Sequence, residues 1–269
     1  MERTRPDRQR FLITGAASGI GKAVAELAAA DGHQLCLVDV NAQGLAEVEA
    51  ALREQGAQVS SVGADLADPQ EPQRVVEFAV GALGGLDVLV SNAGAPKMGL
   101  LSTLTIEEFD ANIAINVRAT WLLATAARQW LASAGGCVVA TGSICGHHPA
   151  PPQGGYSVAK AGLLMLVKQL ALEWGPDGIR CNSVSPGPTI TGLTEGVFND
   201  MDDPRQRAIR EMRESNLPLR RIGMPEDVAR AILFLAGPEA SQITGVDLLV
   251  DGGMSVVLMP AAGVSAGRM

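Results

Sequence analysis

Short β-type runs alternate along the chain with long Ala/Leu-rich stretches of helical spacing. The β-type runs are Arg10–Thr14, Gln34–Asp39, Gln58–Gly63, Leu86–Ser91, Gly136–Thr141, Arg180–Ser185 and Val246–Val250. Helical periodicity covers Ile20–Ala30, Ala42–Gln55, Pro69–Leu83, Thr105–Ala134, Tyr156–Trp174 and Pro225–Leu235. Start signals mark several of these. Thr105 followed by Glu108 forms a capping box, and Pro225-Glu226-Asp227 places proline and two acids in a first turn. Such alternation predicts an α/β fold in which a doubly wound, seven-stranded, mostly parallel sheet carries helices on both faces. No repeat, low-complexity tract or Pro/Gly linker interrupts it, so residues 1–269 are expected to form one domain. Residues 1–9 are read as a flexible leader, and 189–223, mixed in charge and apolar content, as a flap over a pocket.

Composition narrows the partners. The chain has 269 residues, 47% of them hydrophobic, enough for a large core. With 21 basic against 29 acidic residues the net charge is −8, and no Lys/Arg stripe suits a phosphate backbone. No nucleic-acid partner is expected, nor a membrane span, because no long apolar stretch follows the polar start. The four cysteines, Cys36, Cys137, Cys145 and Cys181, form no CxxC pair and no zinc-like cluster. They read as reduced thiols, three of them in strand-like runs, and fit a cytoplasmic protein with no metal site.

The first β-type run leads through Thr14-Gly15-Ala16-Ala17-Ser18-Gly19-Ile20-Gly21 into a helix. Three glycines at a strand-to-helix junction let the backbone turn tightly, approach a pyrophosphate and aim helix N-terminal N–H groups at it. Gly15, Ser18, Gly19, Ile20 and Gly21 are therefore candidate cofactor contacts in a Rossmann-type fold. The second run ends on Asp39, eighteen residues after Gly21. A carboxylate there accepts from the adenosine ribose hydroxyls and repels a 2′-phosphate, which favours NAD over NADP. Lys22 is the one nearby cation that argues the other way.

Tyr156 and Lys160 open a helical stretch, with Ser143 thirteen residues upstream at a strand end. Residues four apart share a helix face, so the Lys160 ammonium is expected beside the Tyr156 phenol. That proximity should favour the phenolate and lower the tyrosine's pKa, as a general acid/base for an alcohol proton requires. Tyr156 is the only tyrosine and four lysines occur in the chain. A lysine four residues after it would arise by chance on the order of once in seventy placements.

With these residues in view the chain closely resembles the short-chain dehydrogenase/reductase family, from Phe11 to about Met254. Thr14 to Gly21 resembles its TGxxxGIG turn, Asp65-Leu66 its adenine-contacting acid and neighbour, and Asn92-Ala93-Gly94 its NAG motif. Asn116 matches its helix asparagine, Ser143 its serine, Tyr156 and Lys160 its YxxxK pair, and Pro186-Gly187 its PG motif. The resemblance implies that Ser143 bonds the substrate oxygen and Tyr156 exchanges its proton. Lys160 binds the nicotinamide ribose, and Asn116 holds a water linking Lys160 to solvent. It also implies cofactor contacts at Asp65, Leu66, Asn92, Ala93, Gly94, Pro186, Gly187, Thr189 and Thr191. Thr189 departs from the β-branched aliphatic residue common there. A homotetramer is implied too, built through the YxxxK helix and elements near the last strand.

On the substrate side, Ile144 to Gln153, Ala95-Pro96 and the flap are expected to line the pocket. His147 and His148 read as a surface loop pair, and Cys145 as a pocket wall. The absence of a dense basic cluster in the flap favours a small or medium apolar secondary alcohol or ketone. A 3-oxoacyl-thioester reductase using NADPH remains an alternative, as does a non-catalytic NAD-binding sensor or scaffold. A methyltransferase would leave the tyrosine-lysine pair unexplained.

Overall fold

Alternate residues of β1 (Arg10–Thr14) face opposite sides of the sheet, and each side meets its own layer of helices. Leu12 packs with α3 (Glu71–Leu83), α5 (Ala119–Ala134) and α6 (Gly154–Trp174), while Phe11 and Ile13 pack with α1 (Gly19–Ala30), α2 (Ala42–Glu54) and α8 (Pro225–Ala236). Strands apolar on both faces are what a covered parallel sheet demands. The other strands are β2 (Gln34–Asp39), β3 (Gln58–Gly63), β4 (Val88–Ser91), β5 (Cys137–Thr141), β6 (Arg180–Pro186) and β7 (Asp247–Val250). They pair in parallel in the order β3-β2-β1-β4-β5-β6-β7. The computed structural model describes residues 8–194 and 196–257. Strand order reverses at β1 and β4, so a crevice opens at the carboxyl ends of these strands, where open α/β sheets bind their ligands. The cofactor and catalytic motifs singled out above lie at or beyond the carboxyl ends of β1 to β6.

Three differences from the sequence reading have physical causes. The stretch 105–134 is not one helix. α4 (Ile106–Ile113), capped as expected by the reciprocal Thr105 and Glu108 bonds, passes through a wider π-turn at Ala114–Arg118 before α5 begins. Asn112 Nδ2 donates to the Glu108 carbonyl and Asn116 Nδ2 to the Asn112 carbonyl, so side chains compete with the ladder there. The flap holds a helix the periodicity hid, α7 (Pro204–Asn216), which buries none of its residues and so carries no apolar stripe. Its start was legible: Asp203 caps it by accepting from Arg205 N, with Pro204 following. At the other end, residues 1–7 of the expected leader lie outside the described residues. Gln9 is already anchored, its N–H donating to His33 Nδ1 at 3.1 Å and its carbonyl accepting from Gln34 N.

Cys36, Cys137 and Cys181 are buried and unbridged, and burial pushes the thiols of Cys36 and Cys181 up to about 12. They are packing residues. Among the described residues no helix is long and apolar enough to cross a membrane.

Candidate active site

The glycine turn is latched to its neighbours by side chains. Thr14 Oγ1 accepts from Asn92 N and Ala93 N, both at 3.0 Å, while Asn92 Nδ2 donates to the carbonyls of Thr14 and Gly15. Thr141 Oγ1 in turn donates to Asn92 Oδ1 at 3.0 Å, which ties the ends of β1, β4 and β5 together. Asn92 thus spans three strands. A Cβ at Gly21 would stand 2.1 Å from the Gly15 carbonyl and 2.6 Å from Asn92 Nδ2, so only glycine lets α1 start this close to the turn. Ser18 occupies the N-cap of α1 without using its hydroxyl as a cap, and the first turn contains no acid. These N–H groups and the uncommitted hydroxyl fit a phosphate. Thr191, at the base of the flap, lies against the same turn, within 3.4 Å of where a Gly19 Cβ would be.

Asp39 closes the other side of the turn. Its Oδ2 accepts from Ala17 N at 3.0 Å and its Oδ1 from Asn41 N at 2.9 Å. Lys22, the cation that could have answered a 2′-phosphate, faces Glu26 one helical turn away at 3.8 Å. Asp65 is exposed beyond β3, accepting from Ala67 N. The Leu66 side chain is buried in the core with α3 and α5, so a ligand contact there would fall to its backbone.

Ser143, Tyr156, Lys160 and Asn116 converge beyond β5. Burial pushes the Tyr156 phenol up to about 12, with the nearby Ser143 hydroxyl pulling the other way. Lys160 is buried, its Nζ 5.6 Å from the Tyr156 ring centre and donating to the Thr141 carbonyl at 2.8 Å. Burial lowers this ammonium to about 8. The sequence reading had the lysine lowering the tyrosine. In the structure the direction is the opposite, because burial of the phenol is the largest influence on it. Asn116 Nδ2 donates to the carbonyls of Ala95 and Asn112, while its buried Oδ1 has no partner. A Cβ at Gly94 would meet that Oδ1 at 2.7 Å and Lys160 Nζ at 3.6 Å, so glycine there keeps both groups accessible to a ligand.

Beyond β6, Gly187 N donates to Val250 O, and Thr189 Oγ1 turns back to the Gly187 carbonyl at 3.0 Å. The Thr189 side chain is buried in that bond, as a hydroxyl in place of an aliphatic group permits. Thr194 Oγ1 braces Thr189 and Thr191, and the flap closes over its own apolar cluster of Phe198, Leu217 and Ile222. Asn112, Thr141 and Thr194 were not singled out from sequence. Asn112 had a signal: it lies four residues before Asn116, on the same helix face, and it holds Lys97 through both N–H and carbonyl. His147 lies at the surface, as expected, and is bonded there, its Nε2 2.6 Å from Asp247 Oδ2. Both histidines of that pair are exposed.

A doubly wound sheet with a phosphate-fitting turn at its switch point and a Ser-Tyr-Lys cluster beside it defines a dinucleotide-dependent oxidoreductase. Comparison with known proteins agrees. A family model described as enoyl-(acyl carrier protein) reductase matches residues 15–255, and the chain belongs to the short-chain dehydrogenase/reductase family, with its NAD(P)-binding Rossmann fold. It is 37% identical to L-rhamnose 1-dehydrogenase (NAD(P)(+)) of Sphingomonas sp., covering 92% of this chain and 96% of the relative. It is 32% identical to D-threitol dehydrogenase of Mycolicibacterium smegmatis, covering 94% and 95%. Among solved structures, L-sorbose reductase of Gluconobacter frateurii, complexed with NADPH and L-sorbose, superposes with a TM-score of 0.88 at 31% identity, covering 93% and 97%.

Proposed function

We propose that the protein transfers a hydride between NAD(H) and a secondary alcohol or ketone, with Ser143, Tyr156, Lys160 and Asn116 as its catalytic group. The observation that carries this is the convergence of Ser143 and Tyr156 with a buried Lys160, whose Nζ stands 5.6 Å from the Tyr156 ring centre. Bound nicotinamide supplies the hydride acceptor or donor. Ser143 donates to the substrate oxygen, and Tyr156, protonated at neutral pH, delivers its proton to that oxygen during reduction and takes it back during oxidation. Both donors are positioned before charge develops on the oxygen, so they stabilise it without reorganisation. Lys160, oriented by the Thr141 carbonyl, holds the nicotinamide ribose and places positive charge near the phenol. The unpartnered Asn116 Oδ1 is the acceptor at which a water connecting Lys160 to solvent would sit.

Asp39 supports NAD over NADP. Its position at the end of β2 puts a negative charge where a 2′-phosphate would lie, and Lys22 is turned toward Glu26. The substrate class follows the relatives, whose names concern rhamnose, threitol and sorbose. Polyols and sugars therefore belong with simple ketones in any substrate panel. A second reading, thioester reduction with NADPH, draws on the matched family description and on the NADPH of the sorbose reductase complex. The six arginines of the flap, at 205, 207, 210, 213, 220 and 221, are matched by six acids within 189–223, and Arg210 and Arg221 are paired with Glu214 and Asp227, so the flap itself lends that reading little.

Tyr156→Phe and Ser143→Ala test the chemistry. Each should lower kcat by about 10²–10⁴-fold, with NADH affinity, read from its fluorescence, unchanged within about twofold. Activity within tenfold of wild type in Tyr156→Phe would exclude that phenol as the acid/base.

A further inference from the structure

A buried carboxylate lies under the turn that carries Ser143. Asp247 begins β7 opposite Ser183 of β6, and its side chain is only 7% exposed. Ser183 and Ser185, two apart and so on one face of β6, both donate to Asp247 Oδ1, at 2.5 and 2.9 Å. The other oxygen, Oδ2, lies 2.6 Å from His147 Nε2. A carboxylate offers only acceptors, so Nε2 carries the proton and donates. A desolvated carboxylate is stable only when its lone pairs are filled, and here His147 is what fills Oδ2.

The position of this cluster matters more than its energy. A Cβ at Gly142 would stand 2.4 Å from Ser185 Oγ and 3.5 Å from Asp247 Oδ1, so the cluster packs against the residue that precedes Ser143. His147 lies at the far end of the short turn that Ser143 starts: Gly146 N donates to Ser143 O, His147 N donates to Ile144 O, and Ser143 Oγ itself accepts from Cys145 N. Gly146 is pressed against α6, where its Cβ would meet the Lys160 backbone at 3.0 Å. One end of the turn is fixed by β5. The other is fixed to β7 only through the imidazole.

We propose that His147 and Asp247 are a positioning pair that pins the Ser143 turn across the β6–β7 edge and so sets the serine hydroxyl for its substrate contact. This rests on the reading of Ser143 above. Replacing His147 by leucine removes the turn's tie to β7 and leaves Asp247 Oδ2 without its donor.

Cys145 reports on the turn without any substrate, because it is partly exposed while Cys36, Cys137 and Cys181 are buried. In the full chain, alkylation of Cys145 by iodoacetamide, followed by peptide mass, should speed up at least tenfold in His147→Leu while the other three cysteines stay protected. His147→Gln, whose amide reaches the same oxygen, should restore the wild-type rate, and His147→Asn, which is shorter, should not. In turnover, His147→Leu should lower kcat about tenfold with the KM for NADH unchanged, and should lower it no further in a Ser143→Ala background. Alkylation of Cys145 within twofold of wild type in His147→Leu overturns the pair. If His147→Leu unfolds and all four thiols react, equal Cys145 rates in the Gln and Asn variants overturn it instead. Failure of the Ser143 reading would look different: Ser143→Ala would keep its activity while the alkylation result stood.

Discussion

Lys160 sets stability against chemistry at the scale of one residue. Burial lowers its pKa from an ordinary 10.5 to about 8, a penalty of about 3 kcal/mol on the folded state wherever both states are charged. Below pH 8 that penalty is complete. Between pH 8 and 10.5 the unfolded chain holds the extra proton, so stability recovers as pH rises, and above 10.5 nothing remains. Lys160→Met should therefore melt higher than wild type at pH 7, by roughly 5 °C or more, and lose most of that advantage by pH 10. Equal melting temperatures at pH 7 would mean that the ammonium is better solvated than its burial implies. Asp39 makes a second residue-scale prediction: Asp39→Ala should narrow the ratio of kcat/KM for NAD over NADP. A ratio unchanged within about twofold would move discrimination elsewhere. The identity of these residues was legible in the sequence because spacing and a single tyrosine isolate them. The direction of the Tyr156 shift was not, since it depends on burial, which spacing does not reveal.

At the scale of elements, the seven strands follow from the short β-type runs, and the structure departs from their expected bounds by only a residue or two. Elements defined by polar contacts were hidden. The π-turn around Asn116 interrupts a continuous helical periodicity because two asparagine side chains bond the backbone four residues back. α7 has no apolar stripe to detect. The α6 pattern carried a prediction that goes beyond the single chain. Leu163 and Val167 face the core, yet Met165 and Leu172 point outward, 63% and 74% exposed, and Trp121 of α5 is half exposed. Two apolar faces on one helix suit a second copy of the chain. Light scattering at micromolar protein should give roughly four times the 27.9 kDa chain mass, and Leu172→Arg should reduce it. A monomeric wild type would rule out the tetramer.

The whole molecule joins a legible scaffold to a site whose supports were not legible. The switch point between β1 and β4 brings the glycine turn, Asp39, Asn92 and the Ser143–Tyr156–Lys160 group to one edge of the sheet. The braces behind them, Thr14, Asn112, Thr141 and Asp247, act through hydrogen bonds between segments 15 to 100 residues apart, which no local pattern encodes. The central claim is hydride transfer to or from NAD by the tyrosine-lysine group. The most direct measurement is nicotinamide absorbance over a panel of polyols, sugars and ketones, with NAD(H) and NADP(H) in parallel, for wild type and Tyr156→Phe. A signal that prefers NAD(H) and disappears in Tyr156→Phe is the predicted result. A signal that Tyr156→Phe retains would contradict the mechanism, and one obtained with NADP(H) alone would contradict the role given to Asp39.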